Sequence, residues 1–111
     1  MVIAIPSEGK DISSRMAGRF ARAPFFIVFD EEGKVCQCID NSSTSMAHGA
    51  GGNAVRILAE NNIDSVIVPQ VGPNAAMALK AAQIKVYETP LDTVSNIMDK
   101  YLKGDLTQVS I

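Results

Sequence analysis

The apolar residues at the start of the chain form short continuous runs, which are typical of strands buried on both faces of a sheet. Residues 2–5 and 25–29 are such runs, and both are rich in β-branched or aromatic side chains. Residues 30–34 are polar and include a glycine, so we expect residues 35–40 to return antiparallel to the second run. The first part of the chain therefore predicts three strands, the last two joined as a hairpin.

From about residue 50 the apolar positions recur at helical spacing. Helices are predicted near 50–61, from Pro73 onward and after Asp92, with short strands at 65–69 and 85–88 between them. Proline favours the first position of a helix and aspartate favours the cap, so Pro73 and Asp92 mark two helix starts. The third helix has the clearest apolar stripe, formed by Val94, Ile97, Met98, Tyr101 and Leu102.

This order of elements predicts an α/β protein with one mixed sheet. Three strands followed by two right-handed crossover connections give a five-stranded sheet of order 3-2-1-4-5, with the second strand antiparallel to the others. Three helices cover its faces, which is a ribonuclease-H-like arrangement. We expect a single domain over residues 1–103 and a loosely held tail over residues 104–111.

Composition and charge narrow the class of protein. The chain has 111 residues, of which 47% are apolar and 20% charged, and this excludes an intrinsically disordered protein. Its apolar runs fall short of the roughly 18 residues that cross a bilayer, and its first residues lack the pattern of a secretory signal. We therefore expect a cytoplasmic protein that binds no membrane. A net charge of −2 argues against bulk binding to nucleic acid.

The chain lacks the residues that two activities found on such folds require. Ribonuclease-H-like nucleases hold metal ions with carboxylates on central strands, whereas residues 2–5 and 66–68 contain none. A dinucleotide site needs a glycine-rich turn between the first strand and a helix, whereas Pro6 to Lys10 lead toward another strand. The chain has one histidine and shows no nucleophile paired with a base, so we expect a protein without enzymatic activity.

The segment from Met46 to Gly52 places the single histidine among glycines, directly before the first predicted helix. Glycines such as Gly49 and Gly51 let the backbone approach a ligand, and helix starts attract anions. The imidazole of His48 is a candidate metal ligand. The alternative is a flexible loop and helix cap with His48 merely exposed, and the sequence leaves both interpretations open.

Basic residues gather in the first part of the chain. Lys10, Arg15, Arg19 and Arg22 are offset locally only by Asp11, and the arginine spacing of four and three would align them on one side of a helical turn. Such a side could bind an anion. The alternative is a solvated face, which is the more frequent role of a run of charges.

The turn Gly72-Pro73-Asn74 joins the fourth predicted strand to the second predicted helix. In an open sheet, ligands bind beyond the carboxyl ends of the strands, close to the point where the connection order reverses. The free amides of this helix start are therefore candidate donors to an anion. A plain helix cap with proline in its first position explains the same residues.

The two cysteines, Cys36 and Cys38, lie on the third predicted strand, where side chains two residues apart share a face. They could contribute to a soft-metal site. A mutual disulfide would be strained, however, and two thiolates are fewer than iron–sulfur or zinc sites use. The favoured interpretation is a pair of small, buried, free thiols.

Taken together, these segments resemble the dinitrogenase iron–molybdenum cofactor biosynthesis family, small ribonuclease-H-like proteins related to nitrogenase accessory factors. The resemblance covers about the first hundred residues. It rests on the opening Ile-Ala-Ile-Pro strand, on Arg-Phe-Ala-Arg-Ala-Pro-Phe-Phe at 19–26, on His-Gly-Ala-Gly at 48–51, and on segments 71–75 and 81–87. Family members commonly have His-Phe-Gly before Arg-Ala-Pro, whereas this chain has Arg-Phe-Ala there, so a cation replaces a candidate metal ligand.

The resemblance implies a binding or carrier protein for the iron–molybdenum cofactor or its iron–sulfur cluster precursor, which passes between an assembly scaffold and a recipient protein. The candidate site residues are Arg19, Arg22, His48, Gly49, Gly51, Gly72, Pro73 and Asn74, with His48 as the candidate metal ligand. The alternative is an enzyme or sensor domain that binds a small phosphorylated or carboxylated metabolite at the same helix starts.

Overall fold

The computed structural model describes residues 2–41 and 49–110, which form one sheet between two layers of helices. The helices are a 3₁₀ helix (Phe20–Arg22), α1 (Ala50–Glu60), α2 (Pro73–Ala81) and α3 (Val94–Leu102). The strands are β1 (Ile3–Ser7), β2 (Phe25–Phe29), β3 (Val35–Asp40), β4 (Ser65–Val68), β5 (Lys85–Glu88) and β6 (Thr107–Val109). In this part of the chain, no helix is long and apolar enough to cross a membrane.

The sheet is mixed and has the strand order β3-β2-β1-β4-β5-β6. β1 pairs in parallel with β4, and β4 with β5, whereas β2 runs antiparallel to both β1 and β3. The mixed α/β class, the three α-helices and the order of the first five strands are therefore confirmed. The ribonuclease-H-like assignment stays a prediction.

The predicted number of five strands is wrong, because the sheet has a sixth. β6 pairs antiparallel with β5, with Val109 opposite Val86. Gly104, at a φ of 76°, adopts the left-handed conformation that glycine tolerates, at the end of α3. Val109 then packs against the buried cluster under α1 and α2, and Leu106 against the cluster under α3. The prediction of a loosely held tail is therefore wrong for Thr107–Val109, because this segment pairs with the edge of β5.

Each face of the sheet carries one apolar cluster. On one face, α1 and α2 pack against the strands through four apolar side chains, those of Ala54, Val55, Leu58 and Leu79. On the other, Val94, Ile97 and Met98 of α3 contact the layer of Ile3, Ile5, Ile27 and Ile67. β1 and β4 are buried along their whole length. For β1, the apolar run at residues 2–5 predicted this burial. The predicted packing against the sheet is confirmed for Val94, Ile97, Met98 and Tyr101. Leu102, the fifth residue of the apolar stripe, is exposed.

The cap of α3 differs from the prediction by one residue. Thr93 is the N-cap, and its Oγ1 accepts a hydrogen bond from the Asn96 backbone N–H at 3.2 Å. Asp92 instead accepts from the side-chain amide of Asn96 at 3.0 Å and from the Thr93 N–H at 2.7 Å. These two hydrogen bonds, the first above all, lower the pKa of Asp92.

Replacing Ile97 with alanine is expected to lower the free energy of unfolding by about 2–5 kcal/mol, because the change leaves a cavity between α3 and the sheet. Urea unfolding followed by circular dichroism measures the loss. Met77→Ala is the matched control, since Met77 is 72% exposed on α2, and it should stay within about 0.5 kcal/mol of the parent. An equally small loss for Ile97→Ala would mean that α3 packs through another face.

Candidate functional site

A cleft of about 640 Å³ opens at the edge of the sheet where the parallel strands end. Three segments line it: residues 18–22 around the 3₁₀ helix, residues 49–52 at the start of α1, and residues 70–75 at the start of α2. The first leads into β2 beside the end of β1, and the last follows the end of β4. The cleft thus lies at the carboxyl edge of the sheet, where ligands bind in open α/β folds.

The 3₁₀ helix places two arginines on the wall of the cleft. Phe20 is buried and its ring lies 5.4 Å from the ring of Phe26, so the apolar side of this short helix faces the core. The Arg22 N–H donates to the Arg19 carbonyl at 3.2 Å, which closes one turn. Arg19 and Arg22 are consequently exposed on the opposite side, toward the cleft.

The start of α1 directs backbone amides toward the same space. Its N-cap is Gly49, at a φ of 74°, and no described side chain caps the helix. The first hydrogen bond of the helix runs from the Asn53 N–H to the Gly49 carbonyl at 3.0 Å, so the N–H groups of Ala50, Gly51 and Gly52 have no acceptor within the helix. A helix start of this kind carries partial positive charge.

The start of α2 repeats this arrangement. Gly72 is its N-cap, with no side-chain cap from the described residues, and Pro73 has no N–H to donate. The N–H of Ala76 makes the first helical bond to the Gly72 carbonyl at 2.9 Å, which leaves the amides of Asn74 and Ala75 without a helical acceptor. A Cβ added to Gly51 would lie 3.4 Å from the Ala75 nitrogen, so the two helix starts approach closely.

The electrostatics of the lining favour an anion. Arg19 and Arg22 are its charged side chains, and neither α1 nor α2 has an acidic residue in its first turn. The described part of the lining contains no carboxylate, thiol or imidazole. These residues can therefore donate hydrogen bonds to an anion, whereas the amide oxygens of Gln70 and Asn74 are the only side-chain ligands that this described lining offers to a bare metal ion.

The structure brings most of the predicted site residues to this cleft. Seven of them line it: Arg19, Arg22, Gly49, Gly51, Gly72, Pro73 and Asn74. His48, the candidate metal ligand, lies outside the described residues, as does Met46. That these seven residues bind a ligand stays a prediction.

The helical turn that would align Arg15, Arg19 and Arg22 on one side does not form. Residues 10–19 contain no helix. Arg15 instead forms an isolated β-bridge with Thr93, before α3, and the ammonium of Lys10 lies 5.4 Å from the centre of the Phe25 ring. Pairing with these distant partners separates the two residues from the cleft.

Asn41 is a residue next to the site that sequence reasoning missed. It is buried, and its side-chain Nδ2 donates to the carbonyl of Ala21 at 3.1 Å and to that of Ala23 at 2.8 Å. In the sequence it begins a polar segment that indicates only a loop. No local signal could have found this role, since both acceptors lie about twenty positions earlier in the chain.

The cysteines lie outside the cleft lining, and their predicted burial is wrong. Cys36 and Cys38 are both exposed, because β3 is an edge strand of the sheet. Val35 pairs with Phe29 and Gln37 with Val28, so Cys36 is an extra residue at a β-bulge. The prediction that both cysteines share one face of the strand assumed a regular alternation of side chains. The bulge interrupts this alternation. Partial burial, reinforced by the Asp40 carboxylate, raises the pKa of Cys38.

This geometry defines the class of the protein, which is a small α/β protein with a cationic cleft at the carboxyl edge of its sheet. The chain belongs to the dinitrogenase iron-molybdenum cofactor family, whose family model matches residues 1–104. The resemblance inferred from the sequence segments is thereby confirmed.

Three relatives match nearly the whole chain. The apo form of the orange protein from Desulfovibrio gigas is 33% identical with a TM-score of 0.92, over 98% of this chain and 92% of that one. A NifB-like protein from Thermotoga is 40% identical with a TM-score of 0.85, over 99% and 94%. An uncharacterized protein of Methanocaldococcus jannaschii is 26% identical over 109 residues, which are 96% of this chain and 89% of the relative.

In a Cys36→Ser background, Asp40→Asn is expected to lower the pKa of Cys38 and to speed its alkylation by iodoacetamide at about pH 8, because the thiolate is the reactive form. Lys10→Ala should slow the reaction, since the Lys10 cation acts in the opposite direction to Asp40. Mass spectrometry gives both rates. Glu60→Gln, at the end of α1, is the control. If both variants reacted at the same rate as this control, the placement of Cys38 near Asp40 and Lys10 would be contradicted.

Proposed function

We propose that this protein is a non-enzymatic carrier that binds an anionic metallocluster in the cleft, either the iron–molybdenum cofactor or an iron–sulfur precursor of it. The observation that carries the proposal is the convergence of two arginines and two helix starts, neither capped by a described side chain, on one space whose described lining has no carboxylate. Membership of the dinitrogenase iron-molybdenum cofactor family favours a metallocluster as the anion.

The size and donor set of the cleft suit such a ligand. A volume of about 640 Å³ lies within the range of roughly 300–1,000 Å³ that is usual for small-molecule sites. Arginine forks and backbone N–H groups both donate to anionic oxygen or sulfur, and charge-assisted bonds of this kind are the stronger class. A cluster whose metals already carry their own ligands therefore fits the described lining better than a bare metal ion does.

Binding through hydrogen bonds also suits a carrier. Contacts from N–H donors are exchanged for competing donors during transfer from an assembly scaffold or to a recipient protein, without the breaking of a protein–metal bond. Coordination by His48, directly before the Gly49 cap, is then the single protein–metal bond that transfer has to exchange. We keep His48 as the candidate metal ligand of the proposal.

The same lining favours a second candidate, a small phosphorylated or carboxylated metabolite bound by a sensor or enzyme domain. Phosphate and carboxylate groups bind at helix starts without any metal. The absence of carboxylates, thiols and imidazoles from the described lining is compatible with this ligand too. The two candidates differ in whether iron or molybdenum accompanies the anion.

Purification under anaerobic conditions, followed by metal analysis and by mass spectrometry of the released ligand, separates the two. The carrier proposal expects iron, with or without molybdenum, in stoichiometric amount. A phosphorylated or carboxylated compound without metal would establish the second candidate instead. Protein that carries neither, and that binds no iron–sulfur precursor on titration, would overturn both.

Arg19→Ala and Arg22→Ala are each expected to weaken binding of an iron–sulfur cofactor precursor about ten- to hundredfold, because each removes a charge-assisted contact of about 1.5–3 kcal/mol. Anaerobic titration measures the dissociation constants. Arg56→Ala is the matched control, since Arg56 is an exposed arginine of α1 paired with Glu60 at 3.1 Å. Losses no larger than that of the control would place the ligand elsewhere.

His48→Ala is expected to remove most of the binding at about pH 7.5, and the parent should bind more weakly at about pH 6. A coordinating imidazole must be neutral, and histidine has an ordinary pKa of about 6.5, so acid removes the ligand. The same anaerobic titration at the two pH values tests this. Stronger binding at the lower pH, with His48→Ala almost without effect, would show that an anion is held by the cations alone.

A further inference from the structure

We propose that Asn41 is a positioning residue for the cleft, because its side-chain amide fixes the backbone on both sides of Arg22. The inference rests on the proposed function, which assigns Arg22 to ligand binding. Asn41 itself lies outside the cleft lining and acts through the 3₁₀ helix.

The contacts of Asn41 define its orientation. The residue is 4% exposed, and its backbone N–H donates to the carbonyl of Pro24 at 3.1 Å. Its Nδ2 group has two hydrogens, and the two carbonyls that it meets, those of Ala21 and Ala23, can only accept. The amide nitrogen must therefore face the 3₁₀ helix, and only a side chain with two donors on one atom satisfies both carbonyls.

The 3₁₀ helix needs this support because it is short. It spans three residues, and its internal backbone bonds are long: 3.2 Å from the Arg22 N–H to the Arg19 carbonyl and 3.4 Å from the Ala23 N–H to the Phe20 carbonyl. One turn with such bonds is marginal in isolation. Packing of Phe20 fixes its beginning, and the hydrogen bonds of Asn41 fix its end.

Asn41 also links the cleft to the register of the sheet. It directly follows β3, whose last residue, Asp40, pairs with Phe25 at the start of β2. The position of the amide is therefore set by strand pairing, and the position of the Arg22 backbone follows from it. Loss of the amide leaves two carbonyls to find other donors, so the arginine no longer has one fixed location.

Isothermal titration with molybdate as a simple dianion tests the proposal. Asn41→Ala is expected to weaken molybdate binding about tenfold, which is about 1.4 kcal/mol. Asn61→Ala is the matched control, because Nδ2 of Asn61 donates to the Ile57 carbonyl at 2.8 Å at the far end of α1. It should bind within about twofold of the parent.

A double-mutant cycle separates positioning from general destabilisation. In an Arg22→Ala background, Asn41→Ala is expected to cost less than about twofold, because the side chain that it positions is gone. The same tenfold loss with and without Arg22 would overturn the proposal, and so would parent-like binding by Asn41→Ala. Asn41→Leu, of similar size, uncharged and without the donors, replaces the alanine variant if that variant fails to fold.

Hydrogen exchange keeps this proposal distinct from the proposed function. If the parent does not bind molybdate, the proposed anion site in the cleft is contradicted. The positioning role of Asn41 can still be tested by hydrogen exchange without a ligand. The amides of Arg22 and Ala23 should then exchange at least about tenfold faster in Asn41→Ala than in Asn61→Ala. Equal exchange in the two variants would overturn the role of Asn41.

Discussion

The parallel pairing of β1 with β4 at the centre of the sheet is the constraint on which the cleft depends. Both strands are buried on both faces, so the core fixes their position. Beyond their carboxyl ends the chain departs in opposite directions, through the 3₁₀ helix to β2 and through residues 69–72 into α2. The space between the two diverging connections is the cleft.

Backbone groups supply much of the positive potential in this space. The starts of α1 and α2 both line it with N–H groups that have no acceptor within their own helices, and the glycines there leave the backbone uncovered. The two helix starts approach each other at Gly51, where an added Cβ would be in van der Waals contact with Ala75. Arg19 and Arg22 add full charges to a site that the helices already make favourable for an anion.

The arginines lie on a much shorter element than the two helix starts do. α1 and α2 are packed along their apolar sides, whereas the 3₁₀ helix has one buried aromatic ring and one buried amide to fix it. Under the proposed role of Asn41, the edge of the sheet helps to determine the geometry of the cleft.

Local patterns in the chain were enough to predict β1 to β5, the three α-helices and, with the right-handed rule for crossover connections, the order of these five strands. The positive charge at the cleft was also predictable, because Arg19 and Arg22 carry it. The remaining features depend on tertiary contacts. β6 forms because the edge of β5 pairs with it, Cys36 and Cys38 are exposed because β3 is at the other edge, and Arg15 is removed from the cleft by Thr93. Each of these outcomes depends on a partner far along the chain, and such a contact leaves no pattern in the residues around it.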